Sequence, residues 1–377
     1  MKIFFLKNKY VLFGLVLIAG IVFLPTFFND FQNEWDDTWM LLENPYVINF
    51  SWSRFGHHLM HFYSTQYSPV NTLYYVIIYK CFGLDAGIFH FFCLLIHLVN
   101  GVFVYRILQI LIENVKSGYR IERINVYSGL VALIFLIHPL QVESVAWISA
   151  SKVLLYAFFS LLGLLVYLKY LRSQNIWYLL AVLACYFMGF GSKEQAIVFP
   201  LNLIVVDFLY GRYQEWRSSY RYFFKRVVWE KIPFLLAALL MWYFSAQNGL
   251  GPQSAGMTYP LMQRLVLGAY SFMQYIFHFI LPVKLSYLYF FPMEIGQKLP
   301  LFLWIYPVLI LLVLWYIWEM FKSKNRLVLF GILFLGVNLL MVLHFIPVPR
   351  NSIIADRYMY LPIIGIALVG VRMVDYL

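Results

Sequence analysis

Asp36 and Asp37 are adjacent in the string Asn33-Glu34-Trp35-Asp36-Asp37, a few residues beyond an apolar run. Neighbouring carboxylates repel one another, and near a bilayer they also lose solvation, so as mere structure they are costly unless fully hydrated. Their chemistry suits a general base that takes the proton of an attacking hydroxyl. A solvated loop is the competing reading, and the residues alone do not separate the two.

Three further sets border apolar runs. His138-Pro139-Leu140-Gln141-Val142-Glu143, with Lys152 beyond it, offers an imidazole, a carboxylate and an ammonium, although an interfacial cap on two helices would use the same residues. Ser192-Lys193-Glu194-Gln195 and Ala355-Asp356-Arg357-Tyr358 each pair a cation with an acid. A charge at the centre of a membrane helix costs roughly 2.5 to 3.5 kcal/mol on the insertion scale. Four such sets on one side of a membrane therefore argue for shared polar surroundings. His57 and His61 have the i, i+4 spacing of metal ligands, but no third ligand is evident and packing with His58 at the interface is the preferred reading. His90, His97, His278 and His344 lie in apolar segments and read as buried, satisfied histidines. Asp207 reads as a cap or pairing partner near the opposite membrane face. Cys81, Cys93 and Cys185 are widely spaced in apolar surroundings and read as packing residues rather than a disulfide or thiolate site.

The elements that must position these residues are helices in a membrane. Hydrophobic residues make up 63% of the 377 positions and charged ones 12%, about half the charged share of a soluble domain. Runs such as Tyr10 to Phe28, Ile176 to Phe190, Leu299 to Phe321 and Leu327 to Phe345 approach or reach the ~20 residues that cross a bilayer. They are apolar on every side, which excludes barrel strands. The 11 Trp, 30 Tyr and 36 Phe exceed what spans need, so helices at the interface are expected. The basic start, Lys2, Lys7 and Lys9, lacks a small-residue cleavage site and reads as a retained first span.

Most of the 28 basic residues fall in blocks around 2–9, 116–123, 169–172, 212–231, 322–326 and 372, which places those loops and the N-terminus in the cytoplasm. On that orientation spans are expected at about 10–28, 87–111, 127–138, 148–171, 176–190, 196–210, up to Ser245, 299–321, 327–345 and from Leu361. The last run has no clear polar stop, which suggests that the natural chain continues beyond Leu377. The outer loops are 29–85, with surface helices at Ser51–Tyr63 and Pro69–Phe82, and 247–298. In the latter, Gln247–Pro260 reads as a mobile loop able to act as a lid, and 261–281 as a surface or re-entrant helix. The whole is one all-α polytopic membrane domain, 1–377.

Several strings carry a family resemblance. They are Trp35-Asp36-Asp37, Glu43-Asn44-Pro45, Ser68-Pro69, Phe82-Gly83-Leu84, His138-Pro139 through Glu143-Ser144-Val145-Ala146-Trp147, Ser192-Lys193-Glu194, and Ala355-Asp356-Arg357-Tyr358-Met359-Tyr360-Leu361-Pro362. In this order they resemble the membrane domain of the transmembrane-and-tetratricopeptide-repeat O-mannosyltransferases and their bacterial relatives. More distantly the chain is similar to protein mannosyltransferases and lipid A aminoarabinose transferases. The tetratricopeptide repeats that follow this domain in many relatives are absent from the sequence.

That resemblance implies a GT-C-like fold of about ten transmembrane helices with interfacial helices in the outer loops. It also implies inverting transfer of one sugar from a polyprenyl-phosphate carrier to an acceptor on the extracytoplasmic face of the bacterial cytoplasmic membrane. Asp36 or Asp37 would take the acceptor proton, with Asp36 preferred, and Glu143 and His138 would orient the acceptor or the carboxylates. Lys193 and Arg357, with Lys152 and Arg264 behind them, would steady the departing phosphate, and Glu194, Asp356 and Tyr358 complete the donor-binding set. No cofactor is called for, and a divalent metal is left open. The expected partners are the lipid-linked donor, a protein Ser or Thr or a glycan acceptor, and membrane lipids, with no nucleic acid. Transfer to a glycolipid or cell-wall glycan would use the same base. A transporter or flippase for polyprenyl-linked glycans would instead need polar or broken helices near the midplane, whereas the polar sets gather on one face.

Overall fold

The computed structural model describes residues 2–64, 66–115, 120–212, 220, 224–248, 259–323, 325–345 and 352–374. Most of the expected lid, 249–258, and most of the basic loop 213–223 lie outside the described residues. The chain is all-helical, and among the described residues the only β pairing is an isolated Tyr63–Gln66 bridge.

The helices run α1 (Lys2–Phe23), α2 (Pro45–Ile48), α3 (Trp52–His58), α4 (Pro69–Phe82), α5 (Ala86–Val115), α6 (Ile121–Ile137), α7 (Val142–Ala146), α8 (Ser151–Ser173), α9 (Ile176–Ser192), α10 (Phe199–Tyr210), α11 (Ile232–Asn248), α12 (Leu261–Ile280), α13 (Ile305–Lys322), α14 (Arg326–Leu339) and α15 (Pro362–Val374). Four described segments are long and apolar enough to cross a bilayer: Lys9–Phe28, Ala86–Val115, Ile148–Ser173 and Leu301–Lys322. A fifth results if α6 and the bent continuation Pro139–Ala146, turned by 54°, count as one.

The remaining apolar runs form helices shorter than the 18 residues needed to cross a bilayer as one continuous helix. The run at 196–210 opens with a 3-10 turn, Glu194–Val198, so that only the 12 residues of α10 are α-helical, about 18 Å at 1.5 Å per residue. α9 has 17 residues and α14 has 14. Hydrophobicity alone does not register these breaks. α12 has 20 residues but buries one side only, through Val266, Leu267, Gly268, Ala269, Phe272 and Tyr275, and it is not among the segments apolar enough to span.

α5, α6 and α8 pack together, α9 lies along α8, and α14 crosses α15. The α14–α15 crossing is tight because it is made at Gly331 and Gly365. A Cβ on Gly365 would stand 2.3 Å from the Gly331 carbonyl oxygen, so any larger residue would push the helices apart. A buried polar knot fixes the lead-in to α15. His97 on α5 donates from Nε2 to the Leu136 carbonyl (2.9 Å), and its Nδ1 accepts from the Tyr360 hydroxyl (2.7 Å). Asn100 donates to that hydroxyl and to the Leu154 carbonyl, both at 3.1 Å. Three elements, α5, α6 and α8, are thus tied to the segment that carries Asp356, Arg357 and Tyr358.

α13 is the exception to this packing. It has no buried residue and touches the rest mainly through α12, α14 and the 3-10 turn Leu301–Trp304, with Phe321 also stacking on Phe208 of α10. Between α12, α13 and α14 lies an apolar cleft of about 670 Å3, lined by Leu265, Phe272, Ile310, Leu314, Leu333 and Val337 among others.

Candidate functional site

The acidic pair is split by its surroundings. Met40, Leu41 and Val47 sink into a small core with Tyr75, Val76, Phe89 and Ile148, and a π-type turn at Thr38–Leu42 delivers the carboxylates to the edge of that core. Asp37 is fully buried. Its Oδ1 accepts from the backbone N–H (2.9 Å) and the hydroxyl of Ser149, and its Oδ2 from the Gln32 N–H (2.9 Å). A carboxylate so engaged is an anchor between the first loop and the start of α8. Asp36 is only partly buried. Its Oδ1 accepts from the Trp39 indole N–H at 3.1 Å, and its Oδ2 takes no hydrogen bond among the described residues.

Lys152, in the first turn of α8, is buried. Its Nζ donates to Gln66 Oε1 (2.7 Å) and to Met40 Sδ (3.4 Å), and both partners are neutral. The ammonium lies within electrostatic reach of Asp36, Arg357, Asp37 and Glu194. The first loop, the α8 start, the turn before α10 and the segment before α15 therefore converge on one place.

Arg357 is paired with Glu143, which accepts from the Arg357 backbone N–H at 2.7 Å and from its guanidinium. One carboxylate thus holds both the backbone and the guanidinium of Arg357 through charge-assisted bonds, and aromatic rings complete its setting. Its Cζ lies 5.4 Å from the Trp147 ring centre and 5.2 Å from that of Tyr358. Lys193 Nζ approaches the Tyr358 ring as well, at 5.1 Å, so a single phenol ring serves two cations. Burial opposes the Arg357 charge, but Tyr358 and Glu143 outweigh it and leave its pKa above the usual guanidinium value. Asp356 is buried beside this pair and accepts from the Tyr289 hydroxyl at 2.8 Å. Burial, with Glu143 nearby, pushes its pKa up to about 7. Burial likewise pushes the Glu194 carboxyl up, against Ser245, Lys193 and Lys152.

Two expected site residues are engaged elsewhere. His138 donates from Nε2 to the Phe279 carbonyl (3.0 Å), accepts the Leu140 N–H at Nδ1 (3.2 Å) and stacks on the Phe279 ring. With both nitrogens on backbone, it ties the α6 end to α12. Arg264 donates to the Phe345 carbonyl at 3.1 Å, and among the described residues no contact joins it to Glu143, Arg357 or Lys152. The histidines of the first loop are also occupied. His57 and His61 stack at 3.9 Å, with His57 Nδ1 3.2 Å from the Tyr46 hydroxyl and His61 Nδ1 2.9 Å from the His57 carbonyl. Burial lowers the His58 pKa to about 4, and its Nε2 lies 3.0 Å from Thr72 Oγ1. Among the described residues no three His, Cys, Asp or Glu side chains gather as metal ligands.

Sequence reasoning did not single out Gln66, Ser149, Tyr289, Trp147 or Tyr287. Trp147 ends the quoted string that starts at His138, and the aromatic richness of Ser286-Tyr287-Leu288-Tyr289-Phe290-Phe291 was a usable signal. Nothing in the sequence marks Gln66 or Ser149. Chemically, the arrangement offers an accessible carboxylate facing a group of cations, the requirement for deprotonating a nucleophile while neutralising an anionic leaving group. No protein-family model, curated protein or solved structure matches the chain.

Proposed function

We propose that this protein is an inverting glycosyltransferase with a GT-C-like domain of about ten spans, transferring a sugar from a polyprenyl-phosphate carrier to a protein Ser or Thr hydroxyl. The reaction takes place at the extracytoplasmic face of the bacterial cytoplasmic membrane. The observation that carries the reading is the gathering of Asp36, with an oxygen left open, around the same point as Lys152 and Arg357. In the reaction the acceptor oxygen attacks the anomeric carbon and its proton passes to Asp36. The bond from that carbon to the phosphate oxygen breaks, and its electron pair leaves with the polyprenyl phosphate. Arg357, held by Glu143 and the Trp147 and Tyr358 rings, and Lys152 neutralise the phosphate. Asp37 positions Asp36 by tying the first loop to Ser149.

The test is to incubate the purified protein in vesicles with polyprenyl-phosphate sugars labelled in the sugar, mannose first, and with extracytoplasmic protein. Label is expected in protein, with release of polyprenyl phosphate. Label recovered only in lipid or glycan would replace the acceptor. Donor moved across the vesicle without being consumed would overturn the enzyme reading in favour of transport.

A further inference from the structure

The base and the principal cation are connected through aromatic rings. Trp35 immediately precedes Asp36, and its ring meets that of Trp147 at 5.6 Å between centroids, tilted by 50°. Trp147 is one of the two rings on which the Arg357 guanidinium rests. Trp35 also meets Tyr287 edge-on, at 4.8 Å and 68°. Both residues are exposed, Trp35 by 43% and Tyr287 by 62%.

Both rings are presented by backbone in the left-handed region, at residues that are not glycine. Glu34, just before Trp35, has φ 68°, and Lys284, three residues before Tyr287, has φ 56°. Such conformations are costly and tend to persist where the surroundings fix them for use. The Glu34 N–H is held by the Thr38 hydroxyl at 3.0 Å, and Tyr289, in the Tyr287 loop, is pinned by Ser352 and Asp356.

Inverting displacement places the acceptor oxygen and the departing phosphate oxygen on opposite sides of the anomeric carbon. The sugar ring therefore occupies the interval between base and cation, which here is walled by Trp35 and Trp147. Resting on the glycosyltransferase reading, we infer that Trp35, Tyr287 and Trp147 form the sugar subsite. The C–H-rich face of a pyranose lies against the exposed rings of Trp35 and Tyr287, and its hydroxyls face Asp36 and Lys152. Interfacial aromatics in a membrane belt need only depth; they need neither left-handed backbone nor a position between a carboxylate and a guanidinium.

The test compares equilibrium binding of two kinds of probe to the purified full chain. One is bare polyprenyl phosphate; the other is polyprenyl phosphate carrying mannose, glucose or N-acetylglucosamine. The parent should prefer one sugar-bearing probe. Trp35→Leu and Tyr287→Leu should each weaken that probe by about tenfold, the scale of one aromatic stacking contact, and leave the bare phosphate unchanged. Trp35→Phe should keep most of the preference. If the parent prefers a sugar-bearing probe and both Leu variants keep that preference, the subsite falls and the function stands. Equal weakening of both kinds of probe would also overturn it, assigning the rings to the lipid or the fold. If the parent shows no preference for any sugar-bearing probe, the donor assignment and the subsite fall together.

Discussion

Helix α8 carries a charge cluster near each end, and the two are built on different rules. Near its C-terminal end, Asp207 and Glu230 face Arg212 and Lys231 under Tyr167 and Tyr170. Lys231 is 2.7 Å from Asp207, Arg212 is 2.9 Å from Glu230 and 3.2 Å from Asp207, and each tyrosine donates to a carboxylate at 2.5 Å. Two acids meet two bases, and each charge has an opposite partner in contact. At the N-terminal end, roughly 22 Å away at 1.5 Å per residue, Asp36, Asp37, Glu143, Glu194 and Asp356 surround Lys152, Lys193 and Arg357. There Arg357–Glu143 is the one ion pair at contact distance among the described residues. Burial perturbs charges at both ends, so perturbation alone does not locate function. What separates them is completeness: one cluster is closed by its own chain, and the other leaves a carboxylate oxygen open and hands a buried lysine neutral partners.

The largest effect expected from breaking this contrast is on transfer. Asp36→Asn preserves size and the Trp39 contact but removes the proton acceptor, and should lower the transfer rate ~10²- to 10⁴-fold with donor binding retained. Asp37→Asn should impair less, through the lost tie to Ser149. Equal loss in the two variants would dissolve the distinction between base and anchor.

The closed cluster should respond the other way. Asp207→Asn leaves Lys231 and Arg212 under-compensated in a buried setting and should cost ~3 to 5 kcal/mol of stability, read as a lower unfolding temperature in detergent. Activity per folded molecule should stay at the parent level. A selective loss of turnover with unchanged stability would make this end functional too.

The last effect, the smallest per unit of pH, lies at the edge of the open cluster. Asp356 keeps its proton to about pH 7 in the folded chain, against an ordinary 3.8. Between those values the folded state binds the extra proton, so stability should fall as pH rises from about 4 to 7 and level off above it. The limiting slope is about 1.4 kcal/mol per pH unit. Asp356→Asn should flatten that dependence in thermal unfolding followed across pH; an unchanged slope would assign it to another group.

The helical membrane architecture was legible because apolar runs and charge blocks are local properties. Charged residues beside those runs were legible for the same reason, which is how Asp36, Glu143, Lys152, Lys193, Glu194 and Arg357 came into view. Their convergence was not, since Glu143 and Arg357 are 214 positions apart and no periodicity encodes a contact of that separation. The division of labour between Asp36 and Asp37 depends on Ser149, a residue with no distinguishing mark in the sequence. A histidine beside a proline and a carboxylate looks chemical in the sequence, and only the structure shows that two backbone groups engage the nitrogens of His138. The span count depended on helix continuity, which a 3-10 turn such as Glu194–Val198 interrupts while Ala196, Ile197 and Val198 continue the apolar run.

A helix with no buried residue is held in place by hydrocarbon more than by its own protein. For α13 this makes insertion and assembly separable events: its position across the membrane is set by its own sequence, and docking to α12 and α14 follows. Extraction reverses that order. When lipid is stripped by a short-chain detergent, Leu311, Leu314, Trp315 and Trp318 lose what covers them, while the charge clusters of α8 keep theirs. Purification should therefore loosen this corner first, and retained native lipid should matter most beside the α12–α13–α14 cleft.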